Sequence, residues 1–184
     1  GPGHGRVAAG TAVVDEGGVH LAKTRRVMRE LGAEVSLEPD RYLMSAPDGL
    51  RGNDLFLHEM SVMATENAVM AAALARGTTV IRNAASEPHV QELCHLLNGL
   101  GAQIEGIGSN VLHIQGRERL GGGECTVGPD FMEVGSFIGL AAVTGGEIRI
   151  KNAGPQHLGM IRMAFRKLGV HFEVDGEDVL VPAD

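Results

Sequence analysis

The feature that most restricts how this chain can fold is an internal repeat. Leu31-Gly32-Ala33-Glu34-Val35 recurs as Leu100-Gly101-Ala102-Gln103-Ile104 and again as Leu168-Gly169-Val170-His171-Phe172. Gly32 and Gly101 lie 69 residues apart, and Gly101 and Gly169 lie 68 apart. Gly77 and Gly146, and Asn83 and Asn152, keep the 69-residue spacing. His20, His89 and His157 fall in the same register. A repeat of this length is one supersecondary unit that cannot bury its apolar face alone, so the core must come from stacked copies. The three histidines would then occupy different places in the assembled fold. Their repetition speaks for packing or capping near helix starts rather than for chemistry.

Each copy has a physical reading. Thr78–Asn83 and Glu147–Asn152 are alternating and β-branched, the pattern of short strands. Val90, Leu93, Cys94, Leu97 and Leu100 recur at helical spacing and stop at Gly101, which can take the left-handed conformation of a helix C-cap. Two short strands, 103–105 and 111–114, follow through a turn at Gly108-Ser109-Asn110. Residues 66–76 read as a helix of small side chains closed by Gly77. The unit is strand–helix–strand–helix–strand–strand. Residues 1–49 hold the second half of one copy, 50–119 a complete copy and 120–184 a further one, so the chain is expected to begin in mid-repeat, with about two and a half repeats in all. The fold class is mixed α/β (α+β), built of βαβαββ units.

Composition removes several functions. Apolar residues make up 43% of the chain but aromatics only 3%, so the core must be aliphatic. The net charge is −7 and the densest basic run is Arg25-Arg26, so no groove for nucleic acid is expected. No stretch is long and apolar enough for a membrane span, and Gly1-Pro2-Gly3 opens neither the basic nor the apolar region of a secretion signal. Cys94 and Cys125 lack metal or redox spacing and read as reduced thiols, which points to a cytoplasmic location. No cluster has metal-ligand spacing, and no Gly-rich Lys-type phosphate loop is present, so neither metal nor cofactor is expected.

Three stretches carry a resemblance: Ser61 through Pro88, Ile107 through Gly122, and Pro129 through Gly139. Together they resemble the enolpyruvyl (carboxyvinyl) transferase family, in its branch that acts on UDP-N-acetylglucosamine. The resemblance runs from about residue 26 to the end of the chain and is dense from 50 to 160. It implies six repeats in two three-repeat domains, each an inside-out prism with helices buried and sheets outside. This chain would hold less than half of that, with the domain boundary near Leu120–Gly123. It further implies a reaction in which the enolpyruvyl group of phosphoenolpyruvate passes to the 3′-hydroxyl of UDP-N-acetylglucosamine with release of phosphate, the committed step of peptidoglycan precursor synthesis.

The implied site residues divide into three groups. Glu59-Met60-Ser61-Val62, with Thr65, match the segment that in the family contacts the uridine diphosphate part of the substrate. A loop opening a helix suits an anion, although Ser61 or Thr65 can equally be a plain helix cap. The family often has Lys where this chain has Glu59, and Gly where it has Met63. Asp130 and Glu133 match acidic positions on the cleft side of the second domain, and they also form a good capping arrangement for a helix over 134–143. The family's catalytic Cys and a following Arg should fall at about residues 10–20, where this chain has neither. Asp15 can stand for the Cys with a one-residue shift, a carboxylate being able to act as acid when burial raises its pKa; a solvated turn is the competing reading. The resemblance therefore suggests a partial, inactive transferase chain. The alternatives are a non-catalytic UDP-sugar-binding module or pseudo-enzyme, and a structural repeat fragment or engineered repeat array. A half-repeat leaves helices without neighbours, so a homo-oligomer or domain-swapped pair is expected.

Overall fold

The computed structural model describes residues 18–38 and 41–183. The chain divides into two compact units, Gly1–Cys125 and Thr126–Asp184.

In the first unit, α1 (Gly18–Glu30) leads into the antiparallel hairpin β1 (Glu34–Glu38) and β2 (Arg41–Ser45). The next six elements are β3 (Asp54–Phe56), α2 (Val62–Ala73), β4 (Thr78–Arg82), α3 (Pro88–Gly99), β5 (Gln103–Glu105) and β6 (Val111–Gln115). This is the strand–helix–strand–helix–strand–strand order expected of the repeat. The four strands form one sheet in the order β3-β4-β6-β5, with β3 parallel to β4 and the other pairs antiparallel. The parallel pair follows from the crossover through α2, since parallel neighbours need a connection long enough to hold a helix.

The core lies between this sheet and the helices. Leu55, Ile81, Leu112 and Ile114 project from the strands, and α2 contributes Ala64, Ala68, Val69, Ala72 and Ala73. The run of alanines lets α1 and α3 approach α2 closely, which an aliphatic core with few aromatics requires. Gly101 takes φ +101° after α3, the left-handed stop expected there. Gly116 has a different role: a Cβ on it would lie 1.6 Å from the Ala75 carbonyl oxygen, so the strand end can reach the turn after α2 only without a side chain.

In the second unit, α4 (Phe131–Thr144) precedes β7 (Ile148–Ile150), a 3-10 turn at Pro155–His157, α5 (Gly159–Lys167), β8 (Glu173–Asp175) and β9 (Asp178–Val181). The three strands form an antiparallel sheet in the order β7-β9-β8. Its core is Val134, Ile138, Ala141, Leu158, Phe172 and Val179 with their neighbours. Among the described residues of this unit no strand precedes α4, and residues 121–127, between β6 and α4, are exposed. The copy expected over 120–184 therefore lacks its first strand, and its Val127 is 83% exposed instead of seated in a sheet.

α2 also begins four residues earlier than its pattern suggested. Ser61 is its N-cap, extended at φ −98° and ψ 122°, and the Ser61 hydroxyl accepts a hydrogen bond from the Ala64 N–H at 3.4 Å. The apolar, outward-facing Met63 gives no periodic signal for a start there, whereas the cap geometry does.

Candidate functional site

The segment Leu57–Ser61 joins β3 to α2 and is pinned where it meets the helix. Thr65, fully buried, donates its hydroxyl to the Ser61 carbonyl at 2.8 Å and accepts from the Ala85 N–H at 3.0 Å. The Thr65 N–H also donates to the Ser61 carbonyl, at 3.0 Å. The Ser61 N–H donates to the Glu59 carbonyl at 2.8 Å, closing a tight turn. Thr65 is thus a brace between the helix start and the loop after β4. Ser61, buried, is the cap. The first N–H groups of α2, at Val62 and Met63, have no carbonyl four residues behind them within the helix and carry the positive end of its dipole.

Beside this turn lies a cavity of about 250 Å³ between α1 and the segment after β3. Lys23, Arg26 and Glu30 line one side, and Phe56, His58 and Glu59 line the other. Lys23 forms an ion pair with Glu59, and Arg26 contacts the His58 imidazole. Arg26 also pairs with Glu30 at 2.6 Å, one helical turn on. Glu59, which by itself would repel a diphosphate, has its charge met by Lys23 from α1. At the base of β3, Arg82 holds Asp54 through two hydrogen bonds of 2.9 and 3.0 Å, and this keeps the Asp54 carboxyl below the ordinary carboxylate range.

The residues singled out from the sequence are thus distributed unevenly. Glu59, Met60, Ser61, Val62 and Thr65 come together in one turn, with Met60 exposed and Thr65 buried behind it. Asp130 and Glu133 belong to the other unit. The Asp130 carboxylate accepts from the Met132 N–H at 2.8 Å and the Glu133 N–H at 3.3 Å, which makes it the N-cap of α4. Asp15 lies outside the described residues. Sequence reasoning missed Lys23, Arg26 and His58. Lys23, Arg26 and Glu30 stand at helical i, i+3 and i+7 positions, so a charged stripe was present in the sequence; nothing there announced that it faces the 58–59 turn. Among the described residues no group of three His, Cys, Asp or Glu side chains is placed to hold a metal ion.

The family model for EPSP synthase (3-phosphoshikimate 1-carboxyvinyltransferase) matches residues 21–183. A UDP-N-acetylglucosamine 1-carboxyvinyltransferase of Treponema denticola is 50% identical over 179 residues, which is 94% of this chain and 42% of that protein. The enzyme of the same name from Borreliella burgdorferi is 55% identical over 152 residues, covering 83% of this chain and 35% of its own length. Among solved structures, the enolpyruvyl transferase NikO from Streptomyces tendae superposes with a TM-score of 0.73 at 22% identity, over 88% of this chain and 41% of that one. EPSP synthase from Acinetobacter baumannii gives 0.63 at 18% identity over the same share of this chain. At such identities the two structures speak for the fold alone. The chain spans about two fifths of the length of the relatives it matches. With nearly its whole length matched by the family model and half its residues identical to curated relatives, this chain belongs to the EPSP synthase (enolpyruvyl transferase) family.

Proposed function

We propose that the chain carries the UDP-N-acetylglucosamine side of a carboxyvinyl transfer site, in which a full-length enzyme would move the enolpyruvyl group of phosphoenolpyruvate to the sugar nucleotide and release phosphate. The observation that carries the reading is the Glu59–Thr65 turn. It opens α2 beside a cavity with Lys23 and Arg26 on its wall, in a chain 50–55% identical to enzymes named for that reaction. Helix N–H groups and nearby cations are what a diphosphate needs. Peptidoglycan precursor synthesis in the cytoplasm would be the setting.

On its own, the 184-residue chain binds the nucleotide sugar without turning it over. The stretch 10–20 offers neither the Cys nor the Arg of the family, and Asp15 can be set in place of the Cys with a shift of one. That same lack favours the second reading, a UDP-sugar-binding module without catalysis. Asp130 and Glu133 are assigned to the cleft side of the second domain. The outward Met63, Met70 and Leu74 of α2 support association with further repeats, supplied by a second copy or by more of the enzyme, to complete the prism. The test is phosphate release on mixing the chain with phosphoenolpyruvate and UDP-N-acetylglucosamine, alongside calorimetric binding of the nucleotide sugar alone. Binding without phosphate is expected. Steady phosphate release would overturn the inactive reading, and no binding would overturn the site itself.

A further inference from the structure

Two asparagines, and among the described residues no other non-glycine residue, have positive φ: Asn83 at 58° and Asn152 at 49°. They sit just after β4 and just after β7, 69 residues apart in the repeat register. Asparagine tolerates the left-handed region better than other side chains. In both places the kink serves the same backbone purpose. The Ala84 N–H donates to the Asn110 carbonyl at 2.9 Å, and the Ala153 N–H donates to the Glu177 carbonyl at 2.7 Å. The conformation therefore belongs to the repeat.

The side chains differ. The Asn83 amide donates to the Leu57 carbonyl at 2.8 Å, and the Leu57 N–H donates to the Arg82 carbonyl at 3.0 Å. Leu57 is the residue that leaves β3 for the 58–61 turn, and two consecutive residues, Arg82 at the end of β4 and Asn83 just after it, hold both of its polar groups. Among the described residues the Asn152 side chain makes no equivalent bond, since the strand it would tie is missing from the second unit. The Leu57 carbonyl can only accept, so Asn83 has to present its NH2 group there.

We propose that Asn83 is a positioning residue for the 58–61 turn. It fixes the start of the turn through its side chain while Thr65 fixes the end, so that His58 and Glu59 are held on the cavity wall before ligand arrives. The link to ligand rests on the UDP-N-acetylglucosamine reading above.

The test compares Asn83→Gly with Asn152→Gly. Glycine adopts the left-handed backbone freely, so each variant keeps its kink and loses only an amide side chain. Amide hydrogen exchange at Leu57 and Ser61, whose N–H groups are bonded, reports the turn directly, and calorimetry reports UDP-N-acetylglucosamine. Asn83→Gly is expected to lose protection at both amides and to weaken binding about fivefold, the effect of one ordinary hydrogen bond. Asn152→Gly should change neither. Wild-type exchange at Leu57 and Ser61 in Asn83→Gly, or an equal loss of binding in both variants, overturns the proposal. A wild-type chain that binds no nucleotide sugar, while Asn83→Gly alone loses protection, overturns the substrate reading and supports the positioning role.

Discussion

Replacing Thr65 with Val separates the polar brace from simple burial. The side chain is fully buried, so Val fills nearly the same space and removes only the hydroxyl. Two hydrogen bonds disappear, but their consequences differ. The Ser61 carbonyl keeps the Thr65 N–H at 3.0 Å and is not orphaned. The Ala85 N–H loses its 3.0 Å acceptor in a buried position and recovers no water. Leaving such a donor unsatisfied costs about 1–3 kcal/mol, and the lost Ser61 bond adds about 1. The extra buried methyl offsets about 1 kcal/mol. The expected net loss is about 2 kcal/mol, a factor of about 30 in the folding equilibrium. Thr65→Ser keeps the hydroxyl and sheds one methyl, costing about 1 kcal/mol. The ranking is therefore the reverse of what hydrophobicity alone predicts. The single tyrosine, Tyr42, lies in the first unit and there is no Trp, so intrinsic fluorescence in urea follows this unit. With a slope of about 2 kcal/mol per molar, the Thr65→Val midpoint should fall by about 1 M. A Thr65→Val midpoint within error of wild type, or one above that of Thr65→Ser, refutes the brace.

Further predictions concern single groups. Asp130→Ala should lower the stability of the second unit by about 1 kcal/mol through loss of the α4 cap, and Asp130→Ser should recover most of it, as read by amide exchange in α4. Cys94 is buried and its thiol is pushed up to about 11, whereas Cys125 is exposed. A thiol reagent should therefore modify Cys125 at once and Cys94 only on unfolding. The raised Cys94 value also sets a pH dependence. The unfolded thiol ionises first, so this contribution to stability is complete below its ordinary value of 9.0 and is lost as pH rises toward about 11. Cys94→Ala should flatten the alkaline side of the stability profile. Glu59→Lys should tighten UDP-N-acetylglucosamine about fivefold at low salt and less at high salt, because the charge now attracts the diphosphate; unchanged affinity at both would remove this turn from the anion site.

Much of the architecture was legible because the repeat supplied each element more than once. The strand at 103–105 was read with its observed bounds, and the Gly101 stop was recognised from its place after the last apolar position of α3. Where the reading differed, a local signal was overridden by packing. Ser61 was read as a possible cap and is one, but the apolar Val62-Met63 pair gave no periodic signal, so the helix itself was expected only from residue 66. That no strand forms before α4 could not be seen from the repeat, since the register alone assigned residues 120–184 a further copy. The site was half legible. The 59–65 turn stood out through resemblance, but the Lys23–Glu59 and Arg26–His58 contacts link residues 36 and 32 positions apart, and no periodicity encodes such a meeting. The Asn83 side chain was likewise visible only as a repeated letter, because its bond to Leu57 spans 26 residues.

The central claim is that the Glu59–Thr65 turn still receives a uridine-diphosphate sugar. Its most direct test is an amide NMR titration with UDP-N-acetylglucosamine, with UDP as the control ligand. The account predicts shifts concentrated in residues 58–67 and along the Lys23–Arg26 face of α1, larger for the sugar nucleotide than for UDP. No shifts at millimolar ligand, or shifts scattered over both units without a focus at the turn, would contradict it.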